Sequence, residues 1–415
     1  MSKIIPFRGL RPAADLVTKV ASLPYDVMDT EEARKMVEGN PMSFLHITRS
    51  EVDLDPGIDP YDMKVYEKAR QNLEQFIKDG IMIQDAKPCF YVYKQKMGNH
   101  VQVGLVAGAS VDEYQAGTIK KHELTRADKE LDRTNHVNIT GAQTGPVFLT
   151  YRAVPSINQI MNKVMEQKPV YDFVAEDGIG HTLYVVDDDK IIKAIEDEFA
   201  KLDVLYIADG HHRSASASAV RELRKKENPH HTGNESYNFF LAVIFPHDMM
   251  QIMDYNRIVK DLNGLSTEEF LKRAEQVFTI ERLPQGSAPA KPTQRHHFGM
   301  YLQGSWYRLT AKPGTFNEND PVAALDVSIL QENLLSPVLG IGNPRTDKRI
   351  NFVGGIRGMK ELEKRVDQDG YAVAFAMYPT SIEELMSIAD AGQIMPPKST
   401  WFEPKLRDAM VVHKL

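Results

Sequence analysis

Val204-Leu205-Tyr206-Ile207-Ala208-Asp209-Gly210-His211-His212-Arg213 is the stretch on which the reading of this chain turns. The apolar run from Val204 to Ala208 is too short for a helix and reads as a buried strand. Gly210 permits a tight turn and close backbone approach. Beyond Arg213, the segment Ser214 to Lys226 is alanine-rich and reads as a helix. A strand end, a glycine turn and a helix start bring unsatisfied backbone N–H groups and the positive end of the helix dipole to one point, which favours an anion. His211, His212 and Arg213 add side-chain donors there, and arginine suits planar, two-pronged contact with phosphate oxygens. Asp209 is a carboxylate of the kind that holds Mg2+ in phosphate chemistry. The competing reading is a capped helix with surface histidines. Few structural needs call for this cluster at such a turn, so the phosphate site is the stronger of the two.

Outward from the turn, Thr182–Val186 reads as a strand, Lys190–Leu202 as a helix and Phe239–Phe245 as another buried strand. This alternation predicts a central α/β unit over 166–262. The region 1–165 reads as mixed α+β and contributes to a cleft. It opens with an extended piece from Lys3 to Leu10, and a helix begins near Asp29-Thr30-Glu31-Glu32, where Asp29 or Thr30 can cap. A second helix spans about Asp62 to Lys78 and stops at Gly80. Phe90–Lys96 and Val101–Ala107 flank Gly98-Asn99 as a hairpin. Lys120 to Gly141 reads as a charged loop, and Pro146 to Tyr151 as a strand. The region 263–415 is also α+β, with a hairpin of His297–Leu302 against Trp306–Ala311 and helices at 327–334 and 382–391. The fold class is therefore mixed α/β.

The 415 residues are 42% hydrophobic, enough for a sizeable core. A net charge of -7 argues against a general nucleic-acid binder, which needs a basic excess. One cysteine, Cys89, excludes an internal disulfide and suits a reducing, cytoplasmic setting. No apolar run reaches membrane-spanning length, and Met1 to Pro6 lacks the apolar core of a secretory signal. The oligomeric state is not read from the sequence.

Tyr206 to Arg213, with Ala215 and Ala217 beyond, resembles the phosphate-binding motif of the ParB/sulfiredoxin-like superfamily. Its Asp-Gly-His-His-Arg form is most similar to that of archaeal free serine kinases. A second resemblance runs along nearly the whole chain. Pro6-Phe7-Arg8-Gly9-Leu10-Arg11-Pro12, Pro24-Tyr25-Asp26-Val27, Glu32-Ala33-Arg34, His122-Glu123, the central motif and Pro397-Lys398-Ser399-Thr400-Trp401-Phe402 together resemble domain-of-unknown-function family 1015. The kinase resemblance implies a ParB/sulfiredoxin-like core with large insertions. It also implies ATP or ADP as phosphoryl donor and Asp209, His212 and Arg213 in the phosphate site. It further implies a glutamate base N-terminal to the motif, for which Glu32 is the nearest match.

Other residues are candidates on local grounds. Arg8 and Arg11 flank Gly9 and suit a phosphate or a carboxylate; they also suit a plain charged surface. Tyr25 and Asp26 line a pocket or form only a turn. His122 and Glu123 sit in the charged loop, without the second histidine of a zinc-protease helix, so no zinc site is read. Lys398, Ser399, Thr400 and Lys405, set among prolines and beside Trp401 and Phe402, face a cleft or simply dock the C-terminal segment.

These readings give a Mg2+- and nucleotide-dependent kinase for a small hydroxylated metabolite, with free L-serine as the leading acceptor. Glu32, Asp209 and His212 are the expected catalytic groups, and Asp209 the metal ligand. Gly210, His211, His212, Arg213, Ser214, Arg8 and Arg11 are expected at the phosphates. Tyr25, Asp26, His122, Glu123, Lys398, Ser399 and Thr400 are expected at the substrate. A nucleotide-hydrolysing switch of ParB-like type and a phosphatase-like hydrolase are the alternatives.

Overall fold

The computed structural model describes residues 2–415 and has a mixed α/β architecture. The chain divides into two compact units. The first runs up to Met250 and takes back Pro404–Leu415; the second is Gln251–Glu403. The boundary expected at 165/166 falls within the first unit, and the second unit begins before the expected 263.

The first unit is built on a nine-stranded sheet. Its order is Ile119–Lys120, Leu205–Asp209, Val147–Tyr151, Phe239–Pro246, His100–Ser110, Phe90–Met97, Gly180–Val186 and Tyr171–Val174, with Ile4–Ile5 paired to His100–Ser110. Most pairs are antiparallel, but Leu205–Asp209 lies parallel to Ile119–Lys120, and Phe239–Pro246 parallel to Val147–Tyr151. The central strands are buried along both faces, which explains their unbroken apolar runs. Leu105, Ala107, Leu149, Ile207, Phe240 and Ile244 belong to one core cluster.

Two helices cover the site end of this sheet. His211–Glu227 follows the strand directly, and its buried Ser214, Ala215, Ser216 and Ala217 are small enough for close packing. It lies along a second helix, Ala127–Thr140. That second helix corrects the expected loop at 120–141. Its buried residues include Asp132, Arg133, Thr134 and His136, so the inward face is polar and carries no apolar stripe to read.

The second unit holds a six-stranded antiparallel sheet ordered Phe278–Arg282, Ser305–Ala311, His297–Leu302, Val373–Ala376, Tyr255–Val259, Ile350–Gly354. The expected hairpin at 297–311 forms its second and third strands. The helix expected at 327–334 is an α-turn, Asp326–Leu330, running into a π-turn, Gln331–Leu335. Among the described residues no helix is long and apolar enough to cross a membrane.

Candidate active site

Gly210 has φ +98°, and an added Cβ would lie 3.3 Å from Val147 Cα, so both the turn and its neighbour require glycine. Its amide donates to Asp209 Oδ1 at 2.9 Å. The helix then starts at His211 with no side-chain cap. The first-turn N–H groups and the dipole of a seventeen-residue helix thus converge on the strand end.

Sheet register brings a second segment to the turn. Ile119 and Lys120 pair in parallel with Leu205 and Tyr206. His122 and Glu123 follow directly on that strand. The rings of His122 and His211 meet edge to face, with centroids 4.5 Å apart. His211 Nε2 accepts the His122 backbone N–H at 3.4 Å. Glu123, His122 and His211 each place a ligand atom within 4.8 Å of the others. Burial pulls the His122 imidazole down to about 4 against the pull of Asp209, and its Nδ1 is buried without a hydrogen-bond partner. Burial, then the neighbouring His122, His212 and Lys121, holds His211 well below its ordinary value. Both rings are neutral at pH 7. The second histidine missing from the sequence around 122 is thus supplied by His211. Three such donors could hold a divalent cation. However, the positive helix end and Lys121 oppose a lone cation there, and the same field favours an anionic ligand.

On the other side, Arg213 Nη2 donates to Asp26 Oδ2 at 2.9 Å, and Nη1 to the Pro146 carbonyl. Burial opposes the charge, but Asp26, Asp209, Tyr25 and Asp408 outweigh it and hold the guanidinium well above its ordinary value. The Tyr25 ring lies between two guanidinium groups, 4.0 Å from Arg133 and 5.8 Å from Arg213. Burial and then Asp26 push the Tyr25 phenol up to about 12. Arg133 is held by Asp132, which also accepts from the Tyr66 hydroxyl at 2.9 Å. Tyr25, Arg133, His136, Gly145, Arg213 and Ser216 help line a cavity of about 20 Å³, room for a single water. Behind it, Asp408 is wholly buried, and neither carboxylate oxygen has a hydrogen-bond partner. Burial pushes its carboxyl up to about 8 against Arg213.

His212 Nε2 accepts the Arg126 backbone N–H at 3.0 Å, and burial lowers its basicity. Asp209 Oδ2 faces the Lys405 ammonium at 3.9 Å. The fold therefore joins Tyr25, Asp26, His122, Glu123 and the 209–213 turn.

The remaining candidates have other partners. Ser214 is fully buried and its hydroxyl donates back to the carbonyls of Gly210 and His211. Arg8 and Arg11 converge on Asp85: Arg8 Nε donates to its carbonyl at 3.0 Å, and Arg11 forms a two-pronged pair with its carboxylate. Glu32 is exposed and closes a capping box, its carboxylate accepting the Asp29 amide at 2.9 Å. Lys398, Ser399 and Thr400 belong to the second unit. There Ser399 donates to the Pro396 carbonyl, and the Lys398 carbonyl accepts from Arg257. Lys405 reads from sequence as one of the tail lysines that could face a cleft, and Asp408 is not singled out. Their approach depends on the chain returning to the first unit at Pro404, more than 150 residues after leaving it, which leaves no local signal.

The fold and this site define a mixed α/β protein with a glycine strand-to-helix turn whose helix start has no side-chain cap. The model of the family described as "Protein of unknown function (DUF1015)" matches residues 4–328, and the chain belongs to that family. No curated protein matches it. Similar solved structures include a conserved hypothetical protein from Pyrococcus furiosus, 13% identical, covering 74% of this chain and 94% of that one with a TM-score of 0.35. A free serine kinase in complex with AMP is 12% identical over 74% of this chain and 92% of that one, TM-score 0.35. SbnI with a C-terminal truncation, from Staphylococcus aureus, is 12% identical over 74% and 87%, TM-score 0.38.

Proposed function

We propose that the first unit is a nucleotide-dependent phosphotransferase acting on a small hydroxylated metabolite, with Glu123 as the base. The observation that carries this reading is the meeting of Glu123, His122 and His211 at the uncapped end of the helix that also bears Arg213. An anion-binding helix end and a carboxylate beside it are the two parts a phosphoryl transfer to a hydroxyl needs.

In this reading the N–H groups of the first helical turn and the Arg213 guanidinium hold the phosphate oxygens and meet the charge that develops on them. Glu123 takes the acceptor hydroxyl proton as that oxygen attacks the terminal phosphorus, and the nucleotide leaves with one phosphate fewer. His122 and His211, neutral at pH 7, can hydrogen-bond the carboxylate or the hydroxyl without cancelling the charge of the base. Glu32 is set aside as base because its carboxylate already serves its own helix.

Asp209 fits Mg2+: one oxygen is held by the turn and the other already faces a cation, the Lys405 ammonium. When bound, Mg2+ would neutralise charge on the nucleotide phosphates. Free L-serine is the acceptor implied by the resemblance of Asp209 to Arg213 to serine-kinase motifs.

The test is an assay of ATP and ADP consumption with Mg2+, with and without a panel of hydroxylated metabolites including L-serine. Acceptor-dependent consumption with a phosphorylated product supports the proposal. Nucleotide hydrolysis indifferent to every acceptor contradicts transfer and selects the nucleotide-hydrolysing reading.

A further inference from the structure

The segment Pro404–Leu415 returns to the first unit and is fixed there at several points. Gln95 Nε2 donates to the Lys405 carbonyl at 2.9 Å. Arg407 pairs with Asp177. Ser22 and Asp408 exchange backbone hydrogen bonds at 3.3 and 3.0 Å, and Leu10 and Val412 do so at 2.9 and 2.7 Å. Gly145 allows this approach, since a Cβ there would lie 2.9 Å from Asp408 Oδ1. The backbone at Lys405 and just beyond it is thus held in place.

The Lys405 side chain is only 17% exposed and aims its ammonium at Asp209 Oδ2, 3.9 Å away. This is longer than a direct charge-assisted bond of about 2.8 Å. The ammonium lies beside the Asp209 carboxylate, at the end of the strand that leads into the turn. A lysine mostly withdrawn from water needs an anion nearby. An anchored segment that delivers a cation to an anion-binding turn has a clear use in holding phosphate.

We propose that Lys405 is a phosphate-contacting residue of the nucleotide site, held at Asp209 in the unliganded protein and turned to the phosphate oxygens when nucleotide binds. Its four-carbon stem gives the reach for that turn, and a lysine binds phosphate as a movable point charge. Mg2+ at Asp209 would remove the ammonium's present counter-ion and favour the same movement. The inference rests on the placement of nucleotide phosphates at the 209–213 turn.

The test measures ADP binding to the full chain by calorimetry, with and without Mg2+, for wild type, Lys405→Met and Lys405→Arg. Thermal unfolding is followed without nucleotide. Lys405→Met is expected to weaken ADP binding at least 5–10-fold, in line with the loss of about 1–1.4 kcal/mol for one charged contact. Lys405→Arg should restore most of it. The melting temperature should stay close to wild type, a split that a purely structural lysine would not give. A second readout uses the wild-type chain alone: ADP should slow acetylation of Lys405 by acetic anhydride, read by peptide mass spectrometry. Equal ADP binding by wild type and Lys405→Met overturns the inference, as does acetylation of Lys405 unaffected by saturating ADP. Failure of wild type to bind either ADP or ATP removes the nucleotide site itself, a different result from loss of the Lys405 contact alone.

Discussion

The helix Thr30–Val37 and the segment 121–126 each carry a glutamate that could act as a base, and the two differ in what surrounds the carboxylate. Glu32 stands in the first turn of its own helix, where its oxygen accepts the Asp29 amide and Asp29 accepts the Glu32 amide. That reciprocal pair satisfies two donors the helix would otherwise leave open, and it is complete within four residues. Glu123 lies in a connection with no helix of its own to cap. Its neighbours come from elsewhere: His122 beside it in the chain and His211 across the sheet edge. A carboxylate serving a local motif is a structural group. Glu123 is instead gathered by tertiary contacts against the start of the helix His211–Glu227.

Replacing the two glutamates in turn gives the largest contrast. Glu123→Gln should lower transfer by about 10²–10⁴-fold while ADP binding, followed by calorimetry, stays near wild type. Glu32→Gln should leave turnover unchanged, because a glutamine oxygen still accepts the Asp29 amide. The reverse pattern would return the base to Glu32 and break the comparison.

Arg213→Lys keeps a charge but loses the planar fork that reaches Asp26 and the Pro146 carbonyl together. Nucleotide affinity or turnover should fall by roughly 10-fold, the effect of about 1.4 kcal/mol. Kinetics equal to wild type would show that Arg213 only braces Asp26 and Pro146.

Gly210→Ala sharpens the structural half of the account. The φ of +98° and the Val147 contact predict a loss of about 1–3 kcal/mol in urea unfolding. An unchanged midpoint would mean that the turn relaxes without strain.

The smallest effect is expected at Asp408. Its folded-state value of about 8 lies above the ordinary carboxyl value, so the folded protein holds a proton that the unfolded chain releases. Its contribution is therefore most favourable at low pH and is lost progressively as pH rises toward 8. Asp408→Asn should accordingly raise the melting temperature more at pH 8 than at pH 5. An equal change at both values would show that the carboxyl does not titrate in that window.

Local physics made part of this site legible. The apolar run at 204–208, Gly210 and the alanine-rich segment beyond it announce a strand, a turn and a helix start, and each falls where the structure has it. The hairpins around Gly98-Asn99 and Gln303-Gly304 were equally plain. The helix Ala127–Thr140 was hidden because its inward side buries Asp132, Arg133 and His136 in ionic and hydrogen-bonded contacts instead of apolar packing. The placement of Glu123 was hidden because it follows from a two-residue strand, Ile119–Lys120, too short to show a period. Arg8 and Arg11 were charged groups of the right kind, but Asp85 is their partner, and nothing in the sequence around them announces it.

The decisive question is where phosphate binds. A crystal structure of the full chain with ADP or ATP and Mg2+ is the direct measurement. The account predicts phosphate oxygens at about 2.7–3.2 Å from the backbone N–H groups of His211 to Arg213 or from the Arg213 guanidinium. Nucleotide phosphates more than about 6 Å from every atom of residues 209–213 would contradict it, since no direct hydrogen bond spans that distance.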